Sequence, residues 1–360
     1  AETPHKIQRG KLGNQQLPEN FSVGNEVVFL SSIKEIVLKT GLSQSTVMRV
    51  LKGSTNVKPE TMEKIFNAAK EIGYEINRTK STIGVILTSD GNIYYNSLID
   101  SIKSSAKKIS SFNYNVILET MKGYDIERQI NLLDQLSEKA EVIIITPINH
   151  PDIINKINEL TDKGKKIITL NFDVENSKRL CHIGVDYIKV GRLAGNLMGL
   201  IVKENTKVAM LYGSDNVLCH KERLDGFKDY VNQHRPDINI VTTVKNSDND
   251  EDGYTTTKKL LEDYPDVNAL FISSGGISGI CKAIKEANKV GKITVIASGR
   301  NPVIESLIKE GIVTATISQN PVEQGKMAVL TAFNMMTTNK KPDFDKHLVD
   351  INAVLFENCN

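Results

Sequence analysis

The amino-acid sequence predicts a small all-α helix-turn-helix head followed by an α/β body made of two doubly wound parallel-sheet lobes. Two patterns lead to this prediction. Before about residue 81, short amphipathic helices alternate with glycine-containing turns, and 12 basic residues outnumber 8 acidic ones. After it, strand-like apolar runs alternate with amphipathic helices, as in parallel sheets covered by crossover helices. The 360 residues have room for two or three such domains.

The composition excludes several classes of protein. Apolar residues make up 40% of the chain and charged residues 24%, which is typical of a globular protein. No apolar run approaches the roughly 18 residues that a membrane helix needs, so we expect no membrane partner. The four cysteines are scattered, and we expect neither a metal nor a cofactor. Since no signal peptide is visible, we expect a cytoplasmic location.

The N-terminal part of the chain is predicted to be irregular. Residues 1–28 are polar and contain Gly10, Gly13, Pro18 and Gly24, which predicts a flexible arm over residues 1–30. Residues 31–77 are predicted to form three short helices. The first is expected at about Ser32–Lys39 and ends before Gly41, which is a helix-stop signal.

The second and third helices complete the predicted head. Ser43 is a good N-cap for a helix over Gln44–Leu51, which would turn three apolar side chains inward. Pro59 suits the first turn of a third helix that reaches about Ile72. Two short helices joined by a tight glycine-containing turn, with a third as support, have the spacing of a helix-turn-helix.

The outer face of the second helix carries side chains that suit DNA. Glutamine and arginine can read base edges in the major groove, while lysine and hydroxyl side chains can bind phosphates. The predicted DNA-contacting residues are Gln44, Ser45, Thr46, Arg49, Lys52 and Ser54. The alternative is a small helical bundle whose basic face is incidental.

A short linker over residues 78–82 is predicted to lead into a two-lobed body over residues 83–360. The predicted strands are Ile83–Leu87, Val116–Glu119, Val142–Thr146, Lys166–Asn171, Lys207–Tyr212, Ile238–Val244, Ala269–Ser273 and Ile293–Ala297. The predicted helices are Tyr95–Ser110, Asp125–Ser137, Ile153–Lys163, Ile188–Glu204, Lys221–His234, Gly253–Tyr264, Gly279–Asn288 and Val322–Thr337.

The body is expected to divide into two lobes. The first is predicted to contain about residues 83–182 and 318–340, and the second about residues 183–317 and 341–360. Ligands of doubly wound folds bind at the carboxyl ends of the strands. We therefore expect a ligand cleft between the lobes.

Residues of the head and the body resemble those of a known family. The motif S-x-x-T-V-x-R-V-L-x-G over Ser43–Gly53, followed by Gly73 and Tyr74, resembles the head of the LacI/GalR transcriptional regulators. The body resembles the effector domain of the same family, which has a type I periplasmic-binding-protein fold. The resemblance implies that Gln44, Ser45 and Arg49 read the bases of an operator.

The ligand positions that the resemblance implies are polar or aromatic. A pyranose has apolar faces that stack on tyrosine and a rim of hydroxyls that suits Arg, Asn and Gln. The matching positions here are Asn92, Tyr94, Tyr95, Asn171, Arg223 and Gln319. Taken singly, each polar residue is also consistent with a surface site or a helix cap, and the two tyrosines with the core of a lobe.

Three departures from the family pattern bear on function. The linker is too short for the family's hinge helix, which wedges into the minor groove. Met48 and Lys52 replace a small hydroxyl residue and an asparagine. Two ligand positions read Ser273 and Gly299, with Arg300 beside the second, so a usual carboxylate is missing. Two arginines in one cleft would favour an anionic ligand such as a sugar phosphate or a sugar acid.

The predicted function is a ligand-responsive DNA-binding transcriptional regulator, a repressor or activator that senses a sugar, a sugar phosphate or a sugar acid. A homodimer on a double-stranded DNA operator is expected. The alternative is an extracytoplasmic sugar-binding protein with a non-functional head. No enzyme is expected, because no catalytic motif is present at its spacing.

Two further features leave alternatives open. The glycine-rich turn over Gly275–Gly279 could meet an anion or could be a tight strand-to-helix turn. His150, His182 and His220 lie near strand ends and could face the cleft, although solvated loop histidines are the default interpretation.

Overall fold

The computed structural model describes residues 23–51, 57–74, 81–88, 93–110, 112–213 and 218–359, with the backbone alone for residues 23–31 and 59. The chain forms two compact units. Three helices form the first unit, the head, and an α/β body forms the second.

The head contains the three predicted helices. They are α1 (Val23–Thr40), α2 (Gln44–Leu51) and α3 (Pro59–Glu71). Gly41 follows α1 with a φ of 66°, a left-handed conformation that a side chain would disfavour. Apolar side chains from all three helices are buried: Ile33, Ile36, Val47, Val50, Leu51, Met62, Ile65, Phe66 and Ala69. The predicted bounds and inward face of α2 are confirmed.

The first helix is longer than the sequence predicted. It begins at Val23, nine residues before the expected start at Ser32 and inside the predicted arm over residues 1–30. Residues 25–40 contain neither glycine nor proline, so no stop signal separates the two parts of this helix. The arm prediction is therefore wrong from Val23 onward, and its remainder, residues 1–22, lies outside the described residues.

The first lobe of the body is built on a parallel sheet with the strand order β11-β5-β4-β3-β1-β2. Its strands are β1 (Ser81–Leu87), β2 (Tyr114–Thr120), β3 (Val142–Ile145), β4 (Lys166–Asn171), β5 (Cys181–Gly184) and β11 (Lys346–Leu348). Helices α4 (Tyr94–Ser110), α5 (Ile126–Ser137), α6 (Pro151–Asp162) and α12 (Pro321–Thr338) cover its faces.

The second lobe has the same construction, with the strand order β12-β10-β9-β8-β6-β7. Its strands are β6 (Lys207–Tyr212), β7 (Asn239–Lys245), β8 (Ala269–Ile272), β9 (Thr294–Ser298), β10 (Ala315–Ser318) and β12 (Asn352–Val354). Only β12 among these runs antiparallel to its neighbour, β10. Its helices are α7 (Tyr187–Ile201), α8 (Leu218–His234), α9 (Asp250–Asp263), α10 (Ile277–Glu286) and α11 (Pro302–Lys309).

Inner strands of each sheet, such as β3 and β8, are buried on both faces, which explains why they are continuously apolar. In β8, Ala269 and Phe271 pack into one core, and Leu270 and Ile272 into the core on the opposite face. Strands between two helical layers have no solvent-facing positions and so lose the usual alternation of polar and apolar residues. The predicted doubly wound lobes are confirmed.

The described chain crosses between the lobes at three places, after β5, after β10 and after β11. The sequence placed the third crossing near residue 340. This boundary is wrong, because β11 pairs with β5 and so belongs to the first lobe. Of the predicted linker over residues 78–82, Ser81 and Thr82 belong to β1, and residues 78–80 lie outside the described residues.

Candidate DNA-binding helix and ligand cleft

The polar edge of α2 is exposed. Val47, Val50 and Leu51 are buried on one side of the helix, while Gln44 and Arg49 are exposed on the other. An eight-residue helix whose apolar side is fixed in the core holds its polar side chains in a constant direction. This is the geometry that a helix in the major groove requires.

The start of α2 is capped as predicted. The Ser43 hydroxyl accepts a hydrogen bond from the backbone N–H of Thr46 at 3.2 Å. Ser45 is exposed and Thr46 is half-buried at this end of the helix. The predictions for Lys52 and Ser54 fall outside the described residues.

A cavity of about 490 Å³ lies between the two lobes, at the carboxyl ends of their strands. Six of the eight predicted ligand residues line it: Tyr94, Tyr95, Asn171, Arg223, Ser273 and Gln319. Asn92 lies outside the described residues. The structure therefore brings together side chains that are up to 225 positions apart in the chain, counted from Tyr94 to Gln319.

Three tyrosines surround the Asn171 side chain on the floor of the cavity. The Tyr187 hydroxyl donates to Asn171 Oδ1 at 2.5 Å, and the Tyr94 hydroxyl donates to the same oxygen at 3.4 Å. Asn171 Nδ2 donates to the Tyr95 hydroxyl at 3.5 Å. Burial raises the pKa of Tyr95 to about 12, so this phenol stays protonated at physiological pH.

Arg223 lies behind this cluster and is buried. Its guanidinium donates to the Ser273 carbonyl at 2.9 Å, the Cys219 carbonyl at 3.2 Å and Cys219 Sγ at 2.7 Å. It also lies over the Tyr187 ring, 5.2 Å from the ring centroid. Gly191 on α7 packs against the backbone of Arg223 on α8, and a Cβ at Gly191 would lie only 2.0 Å from the Arg223 carbonyl oxygen. The absence of a side chain at Gly191 therefore lets α7 and α8 pack this closely.

Serines form the opposite wall of the cavity. The hydroxyls of Ser274 and Ser298 are buried and have no hydrogen-bond partner among the residues that the structure describes. An unpartnered buried hydroxyl costs about 1–3 kcal/mol. These two hydroxyls are therefore well placed to bind polar groups of a ligand.

Two aspartates in the cavity wall were missed by the sequence analysis. Asp248 and Asp250 follow β7 and line the cavity beside the glycine-rich turn. Asp248 has a left-handed backbone, with a φ of 57°, and the Nε2 atom of His220 lies 3.9 Å from its carboxylate. The sequence contained the aspartates but no signal for which side of the loop faces the cleft.

Arg300 is not part of the cavity wall. Its guanidinium donates to the Glu305 carboxylate on α11 at 2.6 Å, and its side chain is about one-third exposed. An ion pair within the loop and first turn of α11 holds it away from the cleft. The sequence-based argument for two arginines in one cleft is therefore wrong.

The three histidines lie in different places. His220 lines the cavity described above, and His150 instead caps α6 by accepting from the N–H of Asp152 at 3.2 Å. His182 lines an adjoining cavity of about 480 Å³. Burial lowers the pKa of His182 to about 4, so its imidazole is neutral at physiological pH.

Metal sites and membrane spans are both absent from the described residues. No cluster of three or more His, Cys, Asp or Glu side chains has the arrangement of a metal site in this part of the chain. Among the helices that the structure describes, none combines the length and apolar character of a membrane span.

Two family models match the chain. The model described as a periplasmic binding protein domain matches residues 83–341, and the model described as bacterial regulatory proteins of the lacI family matches residues 32–77. The first covers most of the body, and the second covers the helix-turn-helix head.

Several known proteins are similar to this chain. The ribose import binding protein of Escherichia coli K12 is 24% identical over 277 residues, which are 77% of this chain and 91% of that protein. Catabolite control protein A of Priestia megaterium is 23% identical over 253 residues, 68% of this chain and 74% of that protein. The solved structure of a glucose-galactose binding protein from Geobacillus stearothermophilus has a TM-score of 0.71 at 22% identity and covers 78% of this chain and 99% of its own.

Two α/β lobes with a cleft between them define the class of periplasmic binding protein domains, to which the body belongs. Together with its helix-turn-helix head, the chain belongs to the lacI family of bacterial regulatory proteins. It is a ligand-responsive DNA-binding transcriptional regulator.

Proposed function

We propose that α2 reads an operator in double-stranded DNA and that the cleft senses a sugar or a sugar-derived metabolite. The observation that supports the first part most is the exposed polar edge of α2, opposite three buried apolar residues. Gln44 and Arg49 would reach base edges, since both side chains form bidentate contacts in the major groove. Ser45 would contact a base edge beside them, and Thr46 would bind a phosphate.

The active form is proposed to be a homodimer in the cytoplasm. A single α2 is eight residues long and reaches only a few base pairs. Two heads bound to half-sites about one helical turn apart would read a palindromic operator.

The proposed effector is a sugar because of what lines the cleft. Tyr94 and Tyr95 offer aromatic surface, and Asn171, Arg223 and Gln319 offer polar groups around it. A sugar needs both kinds of contact. The similar proteins named for ribose and for glucose and galactose support this class of ligand.

The ligand would act by changing the relative position of the lobes. The Tyr187 hydroxyl in the second lobe donates to Asn171 in the first, so the cleft contains a bond between the lobes. A ligand that binds one arrangement of the lobes more tightly shifts the population toward it. Operator affinity would then depend on the ligand.

The DNA-binding role is tested by Arg49→Ala. We expect this substitution to weaken operator binding by about 1–3 kcal/mol and to relax specificity at one base pair, because Arg49 is assigned to a base edge. Footprinting and gel-shift titration on an operator selected from random DNA would measure it. Lys64→Ala is the matched control, since Lys64 is an exposed basic residue on α3. Equal affinities for Arg49→Ala and the wild type would contradict the assignment.

The alternative function is an extracytoplasmic sugar-binding protein with a non-functional head. The similarity of the body to import binding proteins favours it. It has less weight, because the head also matches a family model of regulators and keeps a capped helix with an exposed polar edge. Cell fractionation separates the two, since the alternative places the protein outside the cytoplasm.

A further inference from the structure

The turn that opens α10 lies in the cavity wall. Gly275, Gly276 and Ser278 line the cavity, and Gly276 is the N-cap of the ten-residue helix α10 without a side-chain hydrogen bond of its own. A glycine-rich turn at a helix N-terminus usually suits a phosphate or a carboxylate of a ligand.

Two carboxylates of the protein itself accept hydrogen bonds from backbone N–H groups of this turn. Asp248 Oδ1 accepts from the N–H of Gly275 at 2.8 Å. Asp250 Oδ1 accepts from the N–H groups of Ser278 at 3.2 Å and Gly279 at 3.4 Å. The carboxylates of Asp248 and Asp250 thus already occupy backbone N–H groups that would otherwise bind an anionic group of a ligand.

Close backbone packing explains why glycines occupy this turn, without reference to a ligand. A Cβ at Gly275 would lie 2.7 Å from the Asp248 carbonyl oxygen, and a Cβ at Gly279 would lie 1.7 Å from the Asp250 carbonyl oxygen. Only glycine lets the two segments come so close. The turn is therefore shaped to receive the loop with its two aspartates.

The charges in the cavity wall also disfavour an anion. The charged side chains among the described lining residues are Arg223, Asp248 and Asp250. The titratable groups beside them are His220 and the tyrosines of the cavity. Arg223 is only 7% exposed and already donates to Ser273 and Cys219, so it offsets the two carboxylates only in part.

We infer that the cleft binds a sugar without a phosphate or carboxylate group, either uncharged or amino-bearing, and that Asp248 and Asp250 exclude the anionic derivatives. The buried hydroxyls of Ser274 and Ser298 suit a ligand of this class, because sugar hydroxyls can both donate to and accept from them. This inference rests on the proposed sugar-sensing function and narrows it. Exclusion through a repulsive element is a common source of specificity.

The test is a thermal-shift and calorimetric comparison of matched sugars on the full chain. The probes are D-ribose with D-ribose 5-phosphate, and D-glucose with D-glucosamine, D-glucose 6-phosphate and D-gluconate, followed by other hexose pairs. A ligand that binds the native state raises the melting temperature. We expect stabilisation by at least one uncharged or amino sugar and at least tenfold weaker binding, about 1.4 kcal/mol, of its phosphate or acid.

The variant Asp250→Ala tests the cause of the exclusion. Removing this carboxylate frees the N–H groups of Ser278 and Gly279 and lowers the negative charge of the wall. We expect the affinity for the phosphorylated sugar to rise at least tenfold relative to the parent sugar. Glu251→Ala is the matched control, because it removes the same charge from the next position, which does not line the cavity. Asp248→Ala provides a second variant if Asp250→Ala does not fold.

The possible outcomes separate this inference from the proposed function. Tighter binding of a phosphorylated or acidic sugar than of its parent by the wild type would overturn the inference and leave sugar sensing intact. An unchanged preference in both the Asp250→Ala and the Asp248→Ala variant would overturn the role of the two aspartates. Absence of binding by every sugar tested would contradict the proposed function, and the inference with it.

Discussion

At the scale of single residues, Tyr187 and Asn171 join the two lobes. Asn171 ends β4 in the first lobe with a φ of 65°, and Tyr187 begins α7 in the second lobe. Their 2.5 Å hydrogen bond is buried, and Arg223 covers the tyrosine ring from the other side. A change at either residue should therefore affect stability as well as ligand binding.

The substitution Tyr187→Phe removes the hydroxyl and keeps the ring. We expect it to lower the free energy of unfolding by about 1–3 kcal/mol, because Asn171 Oδ1 is then left with only the longer bond from Tyr94. Chemical denaturation of the full chain would measure the loss. Tyr212→Phe is the control, because the Tyr212 hydroxyl has no hydrogen bond within the described residues. Equal stability of the two variants would show that the bond between the lobes contributes little.

The sequence predicted part of the candidate site and missed the rest for physical reasons. Tyr94, Asn171, Arg223 and Gln319 were expected from the family resemblance, and the structure places all four in one cavity. Asn171 and Gln319 lie at or directly after strand ends, and Tyr94 and Arg223 lie in helices that follow strands. Tyr187 was missed because its position depends on where the chain crosses between the lobes.

Loop conformation accounts for the other omissions. Asp248 faces the cavity through a left-handed backbone, which no hydrophobic pattern reports. Arg300 was expected in the cleft because it stands beside a ligand position in the sequence. Its side chain instead pairs with Glu305, five residues further along the chain in the first turn of α11.

At the scale of helices and strands, most elements were predicted, and the strands β5, β10, β11 and β12 and the helix α11 were not. The bounds of α2, β4 and β6 agree with the sequence prediction. Strands β5, β11 and β12 have only three or four residues and form through pairing with distant segments, so they leave little periodic signal. The early start of α1 was missed because Gly24, its second residue, favours an irregular segment.

The helix cap of α2 gives a prediction at this scale. Ser43→Ala removes the acceptor for the N–H of Thr46 and should destabilise α2 by about 0.5–2 kcal/mol. Ser43→Asp keeps a capping oxygen and should restore most of this loss. Hydrogen exchange of the α2 amides measures the local stability. Equal exchange in the Ala and Asp variants would mean that the cap does not hold the helix.

At the scale of the whole molecule, the described chain crosses three times between two lobes that form one ligand-binding body, while the head forms its own compact unit. The two family matches assign the head to DNA binding and the body to ligand binding within one regulator. Its function depends on an energetic coupling between cleft and operator. Such couplings are typically about 1–3 kcal/mol, or 5–150-fold in affinity, and they act in both directions.

The most direct test of this coupling is a fluorescence-anisotropy titration of a labelled operator with the full chain, with and without a saturating sugar from the panel above. We predict that the sugar changes operator affinity by about 5–150-fold and that operator changes sugar affinity by the same factor. The same operator affinity with and without a sugar that demonstrably binds the cleft would contradict the account.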